Sequence, residues 1–250
     1  MATRSSPCRD GPAPVTDAAV SVGEPHHADV SGGWLRPAVF GAMDGLVTNI
    51  ALIAGVGGGG AASHTIVLTG FAGLVAGAIS MGLGEYTSVQ SQNEQVAAEV
   101  AKERRELERN PSGEARELAD AWVRRGLPRD LAEQVADVLR HNPEEALRVH
   151  VQEELGVDVD ERPSPWTAAF SSFLCFSVGA VVPLLTYLLG FSNLWLALGV
   201  GGLGLFVAGA VVARFTNRRW WVSGGRQLLL GAAATAATYL VGRLVGVGVS

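Results

Sequence analysis

The sequence predicts an all-α membrane protein with five transmembrane helices and a helical insert between spans two and three. Three observations carry this. Mean hydropathy is +0.25 with 48% hydrophobic residues, a balance rare in a soluble domain. The charged residues, 17% of the chain, gather mostly between Glu94 and Arg162 and split the apolar sequence into two blocks. Five apolar segments are each long enough to cross roughly 30 Å of hydrocarbon.

The first segment runs from about Pro37 to Val56 and ends in the loop Gly57-Gly58-Gly59-Gly60. The second starts near His64 and reaches about Leu83. The third runs from about Trp166 to Leu189, the fourth from Leu194 to Ala213 and the fifth from Leu228 to Val247. Pro183 lies inside the third, where neighbouring helices absorb a kink. Small residues four apart, Gly41/Gly45 and Gly73/Gly77, permit close helix contact. Arg36 precedes span one. Arg214, Arg218, Arg219 and Arg226 lie between spans four and five, and the insert is rich in arginine, whereas the connections after spans one and three hold no Lys or Arg. The positive-inside rule then places the N-terminus, the insert and the Arg218-Arg219 loop in the cytoplasm and the C-terminus outside, with Arg243 dissenting. Trp34, Trp166, Trp220 and Trp221 suit an interfacial belt.

Span two is expected to continue as one helix to about Glu108, because no Pro or Gly follows Gly84 before Asn110-Pro111. Asn110 caps a next helix carrying Leu118 and Trp122. A further helix starts after Pro128 with Leu131, Val135, Val138 and Leu139 as its apolar face. Asn142-Pro143 repeats the cap signature, and the last insert helix ends at Gly156, a C′ glycine. The domains are therefore a disordered tail over 1–33, spans one and two over 34–92, a cytosolic helical domain over 93–162 and spans three to five over 163–250. Residues 1–33 lack the apolar core of a signal peptide. His26-His27 in that tail is a weak metal motif.

A net charge of −5 argues against nucleic acid, which calls for a basic stripe. The two cysteines, Cys8 and Cys175, form no disulfide framework and no thiolate metal motif. Cys175 reads as a small apolar helix residue.

Two groups of residues carry chemistry. In the membrane, Asp44 lies eight residues past Arg36, roughly 12 Å deep at helical rise. An intramembrane carboxylate is costly and points to an ion path. Met81 lies one turn deeper than Glu85 on the same face. Asp44, Met81 and Glu85 thus fall in the same half of the bilayer, where a carboxylate and a thioether suit a borderline divalent ion. Thr48, Asn49 and Ser80 offer neutral oxygens. Taken alone, Met81 also reads as ordinary packing and Glu85 as an interfacial residue.

In the insert, Glu103 and Glu106 form an ExxE pair on one helix face, and Glu114 and Glu117 form a second past the turn. Glu154 follows on the last helix, one turn after His150. Two helices joined by a tight turn can face such pairs at each other while a third closes a metal site. The alternative is a solvated face, since Arg104, Arg105, Arg109 and Arg116 are interleaved.

Three blocks, Met43-Asp44-Gly45-Leu46-Val47-Thr48, Ala54-Gly55 and Ser80-Met81-Gly82-Leu83-Gly84-Glu85-Tyr86, closely resemble the vacuolar iron transporter family, and the resemblance extends over about Arg36 to Val247. It implies transport of Fe(II), with Mn(II) sometimes accepted, out of the cytosol by proton antiport. The partners implied are a second copy in a homodimer and the lipid bilayer. The ion path then runs between the two first spans, with metal as cargo, H+ as coupling ion and no permanently bound cofactor. The family's pore acid falls on Asp44 and its pore methionine on Met81. Its insert glutamates fall on Glu103, Glu106, Glu114, Glu117 and Glu154. Where plant members place methionines, this sequence has His150 and Val151; imidazole remains a good ligand for Fe(II), Mn(II), Co(II) or Zn. Glu99 is placed to supplement the set.

A membrane-anchored metal buffer or sensor would keep the insert site without an acid in the bilayer, so Asp44 weighs against it. A transporter of another divalent cation is not separable by sequence. A ferroxidase would call for an ExxH pair, which is lacking, so no enzyme is expected. The scarcity of lysine beside abundant Arg, Ala, Gly and Val suits a GC-rich bacterial genome and a bacterial cell membrane.

Overall fold

The computed structural model describes residues 33–159, 162–216 and 218–249. The expected tail, with Cys8 and His26-His27, lies outside the described residues except for Gly33. Among the described residues the secondary structure is helical: α1 Leu35–Gly58, α2 Ser63–Arg109, α3 Pro111–Arg124, α4 Arg129–Arg140, α5 Pro143–Leu155, α6 Pro165–Leu188, α7 Leu194–Val212 and α8 Trp220–Val249. Five of them, α1, α2, α6, α7 and α8, are long and apolar enough to cross a membrane. Their outward faces carry large apolar side chains such as Leu229 and Leu244, 71% and 77% exposed. Surface of that kind is stable against lipid rather than water.

Helix α1 is the hub, packing on α2, α6, α7 and α8. Glycine makes this possible. Gly41 and Gly45 lie against the backbone of Ser172 and Phe176 on α6, and Gly179 of α6 lies against that of Ala42. The small-residue face of the first span is thus used within the chain. On α2, Gly73 receives the Leu52 side chain and Gly77 the Phe176 ring. Buried Asn49 donates from Nδ2 to the Ala180 carbonyl at 2.6 Å, one turn before Pro183, which α6 accommodates without ending.

The contacts also fix direction. Gly41 and Gly45 meet Ser172 and Phe176 in the same order, and Gly55 and Gly59 meet Thr238 and Gly242, so α6 and α8 run parallel to α1. Gly70, Gly77 and Gly82 of α2 meet Leu184, Phe176 and Ala169 of α6 in reverse order, and Gly201 and Gly204 of α7 meet Ile50 and Leu46, so α2 and α7 run the other way. The start of α1, the insert and the α7–α8 connection therefore share one side. Trp34, Trp166, Trp220 and Trp221 all sit exposed at span ends on that side.

Helix α2 is a single rod of 47 residues that leaves the bundle and carries the insert. Asn110 turns the chain and caps α3, its side chain accepting from Gly113 N at 3.1 Å. Helix α5 ends at Gly156 with φ 66°, the left-handed conformation that glycine adopts without strain.

Three expectations are corrected. Helix α8 begins at Trp220, eight residues before the expected start of span five, and takes Arg226 into the helix; hydropathy marks the lipid-embedded part of a helix, not its polar end. The buried face of α4 is Ala132 and Ala136, packed on Ala119 of α3. Leu131, Val135 and Val138 are exposed, because small residues let α3 and α4 approach closely and leave the bulky ones outside. Asn142 stands at the N-cap of α5 but makes no side-chain cap hydrogen bond.

Candidate functional site

The insert site is built by two helices. Glu103 lies on the outer part of α2, and His150 and Glu154 lie one turn apart on α5, which packs across it. Their ligand-capable atoms lie within 4.8 Å of one another. His150 Nδ1 is 3.2 Å from Glu103 Oε1 and 3.7 Å from Glu154 Oε1. Two ligands about 2.1 Å from one ion and at right angles stand about 3 Å apart, so these donors are spaced to share a cation. Glu103 and His150 are buried at 7% and 2% exposure, while Glu154 is open to solvent. Glu103 Oε1 is buried without an aligned hydrogen bond, an unsatisfied acceptor of the kind a bound cation relieves. Beside it lies a small cavity of about 30 Å³, bounded by Glu99, Lys102, Val151 and Glu154. That is room for one ion or water.

The remaining glutamates act through their field. Burial pushes the Glu103 carboxyl up to about 7, with the charges of Glu154, Glu114, Glu106 and Glu117 adding in that order. Burial also raises Glu114, with Glu117 reinforcing it and His150 opposing. These carboxylates gather around one point, which Lys102, 3.9 Å from Glu99, also borders. Three of the four interleaved arginines are engaged elsewhere: Arg104 forms a bidentate pair with Glu144 at 2.7 and 3.2 Å, Arg105 donates to the Ala101 carbonyl and Arg116 to that of Ser112. Glu153 pairs with Arg125, which leaves Glu154 as the acid facing His150. The closest trio joins α2 to α5; Glu106, Glu114 and Glu117 stand around it rather than in it.

In the membrane half, Asp44 lies on the less covered face of α1 with Phe40, Met43 and Val47. Thr48 Oγ1 donates to Asp44 Oδ1 over a long 3.4 Å. Met81 packs against Ala78, Phe176 and Ala180, and Glu85, one turn on, is half-buried. Asn49 commits its amide to α6 and keeps a buried, unpartnered Oδ1. Ser80 is exposed on the outer surface of α2. Glu99, placed by sequence only as a supplement, borders the insert cavity; its single-turn spacing from Glu103 was the available signal.

A family model described as the VIT family matches residues 35–243. The chain belongs to the VIT family. Similar proteins include "Vacuolar iron transporter 1" of Oryza sativa subsp. japonica, 33% identical over 240 residues that cover 92% of this chain and 94% of the relative. The protein of the same name from Arabidopsis thaliana is 30% identical, covering 88% and 90%. A "Vacuolar iron transporter" of Acanthamoeba castellanii is 36% identical, covering 89% and 83%. This VIT-family chain is thus a multi-pass membrane protein from a family of transporters, not of enzymes.

Proposed function

We propose that this VIT-family protein carries Fe2+, and also Mn2+, out of the cytosol by proton antiport. It acts as a homodimer in a bacterial cell membrane, with the insert and the start of α1 in the cytoplasm and the C-terminus outside. The observation that carries the reading is the convergence of Glu103, on a rod that leads into the bundle, with His150 and Glu154 of α5, amid further carboxylates. Relatives named vacuolar iron transporters supply the cargo. The insert collects the ion and passes it along α2 to Glu85 and Met81, then to Asp44. A proton from the far side neutralises Asp44 after release, and a neutral carboxyl crosses an apolar environment at lower cost than a charged one. The half-covered face bearing Asp44 suits a path completed by the first span of a second copy.

The test is uptake into proteoliposomes that contain a metal-quenched dye, with an imposed pH gradient. Wild type is expected to admit Fe2+ or Mn2+ only with the gradient, and Asp44→Asn to admit neither while binding metal normally in the insert. Normal transport by Asp44→Asn would refute the pore assignment. Metal binding without entry in wild type would make the protein a tethered buffer, and gradient-driven entry of another divalent cation alone would change the cargo.

A further inference from the structure

Between the end of α7 and the start of α8 lies an open groove of about 780 Å³, within the roughly 300–1,000 Å³ range of ligand clefts. One end is bounded by Arg214, Arg218 and Arg219, all exposed. Its wall is apolar, with Val207 and Val211 half-exposed along α7 and Trp220 at the mouth. The Trp220 ring is held edge-on against Phe206 at 6.0 Å. Nearby, α7 and α8 touch backbone to backbone at Gly209 and Gly224.

The charge is uncompensated. From residue 162 onward the sequence holds six arginines and no aspartate or glutamate. Among the described residues no carboxylate pairs with these three. Arginine planes recognise phosphate through paired N–H donors. Basic pockets between membrane helices on the cytoplasmic side suit anionic lipid headgroups. A topology signal asks only for positive charge near the surface; it asks for no groove, no apolar wall and no fixed tryptophan.

We propose that this groove binds an anionic phospholipid of the leaflet on the insert's side. The arginines hold the phosphate-bearing headgroup, and an acyl chain lies along Val207 and Val211. A free phosphate offers the same charge to the arginines but has no use for the apolar wall.

The test is native mass spectrometry of the full-length protein, released from micelles containing equal amounts of dioleoyl phosphatidylglycerol and phosphatidylcholine. Wild type is expected to retain phosphatidylglycerol at least tenfold over phosphatidylcholine, and R214Q/R218Q/R219Q to lose that preference, with R214Q, R218Q or R219Q alone weakening it more than R243Q, which removes the same single charge outside the groove. V211W fills the apolar wall without touching the charge and should also lose the lipid, which attraction between charges alone would not predict. Equal retention of both lipids by wild type would overturn the proposal, and that measurement stands even if the triple variant fails to fold. Retention of phosphatidylglycerol by V211W, or its displacement by excess inorganic phosphate, would also overturn it, the latter in favour of a simple oxyanion site.

Discussion

Glu103 is the residue on which the insert site turns. Burial pushes its carboxyl up to about 7 from 4.5, so a cation binding there below neutral pH would displace a proton. Metal affinity of the insert is therefore expected to rise with pH up to about 7, by roughly tenfold per unit for one proton displaced. Isothermal titration with Mn2+ from pH 5.5 to 8 checks this; Glu103→Gln should flatten the slope and weaken binding at pH 7.5 by at least tenfold. A steep slope that survives in Glu103→Gln would assign the proton to another group. His150→Ala should weaken borderline cations such as Co2+ or Zn2+ more than Ca2+, because imidazole is a poor ligand for hard ions. The sequence supplied every member of this trio, since Glu-to-His-to-Glu spacing on two helices is legible. It did not show that Glu103 is the buried one or that Glu106 and Glu117 stand back, because burial depends on where α5 crosses α2.

Single elements are governed by caps and close contacts. Asn110 ends α2 and caps α3, so Asn110→Ala should cost about 1 kcal/mol, read as earlier thermal unfolding of the insert. Asn142→Ala, at a similar Asn-Pro signal, should cost markedly less, because its side chain caps nothing in the fold. Equal losses for the two would contradict the assigned caps. In the bundle, a Cβ at Gly45 meets the Phe176 backbone, and backbone is harder to displace than the end of a side chain. Gly45→Ala should separate α1 from α6 at a cost of about 1–3 kcal/mol, whereas Gly84→Ala, which meets nothing within 4 Å, should be tolerated. Detergent thermal shifts of the two variants compare them directly. The small-residue motif was visible in sequence as a packing signal, but its partner was not: four-residue spacing specifies closeness, and only the fold assigns the closeness to α6.

For the molecule as a whole, linkage connects the insert's stability to pH and metal. A carboxyl whose folded pKa is raised stabilises the fold fully below 4.5 and loses that contribution as pH rises through about 7. At about 1.4 kcal/mol per unit, Glu103 removes at most about 3.5 kcal/mol across that interval. The metal-free protein is expected to be less stable at pH 8 than at pH 5, and saturating Mn2+ to restore stability most strongly at pH 8. Unfolding scans with and without metal read both. If metal stabilises the protein equally at the two pH values, Glu103 is not a ligand.

What the sequence determined by itself was the number and approximate place of the membrane helices, the unbroken rod of α2 and the residue types proposed to bind a cation. These follow from hydropathy, from the absence of helix breakers and from residue chemistry, all local properties. The tertiary structure decided which face of each helix is covered. It set Ala132 and Ala136 inside and Val138 outside on α4, placed Glu103 against His150, and ran α8 back through Arg226 to Trp220. The reason is that burial is a relation between elements: a periodic stripe says that a helix has an apolar side, and only the neighbour that arrives decides how much of it is used.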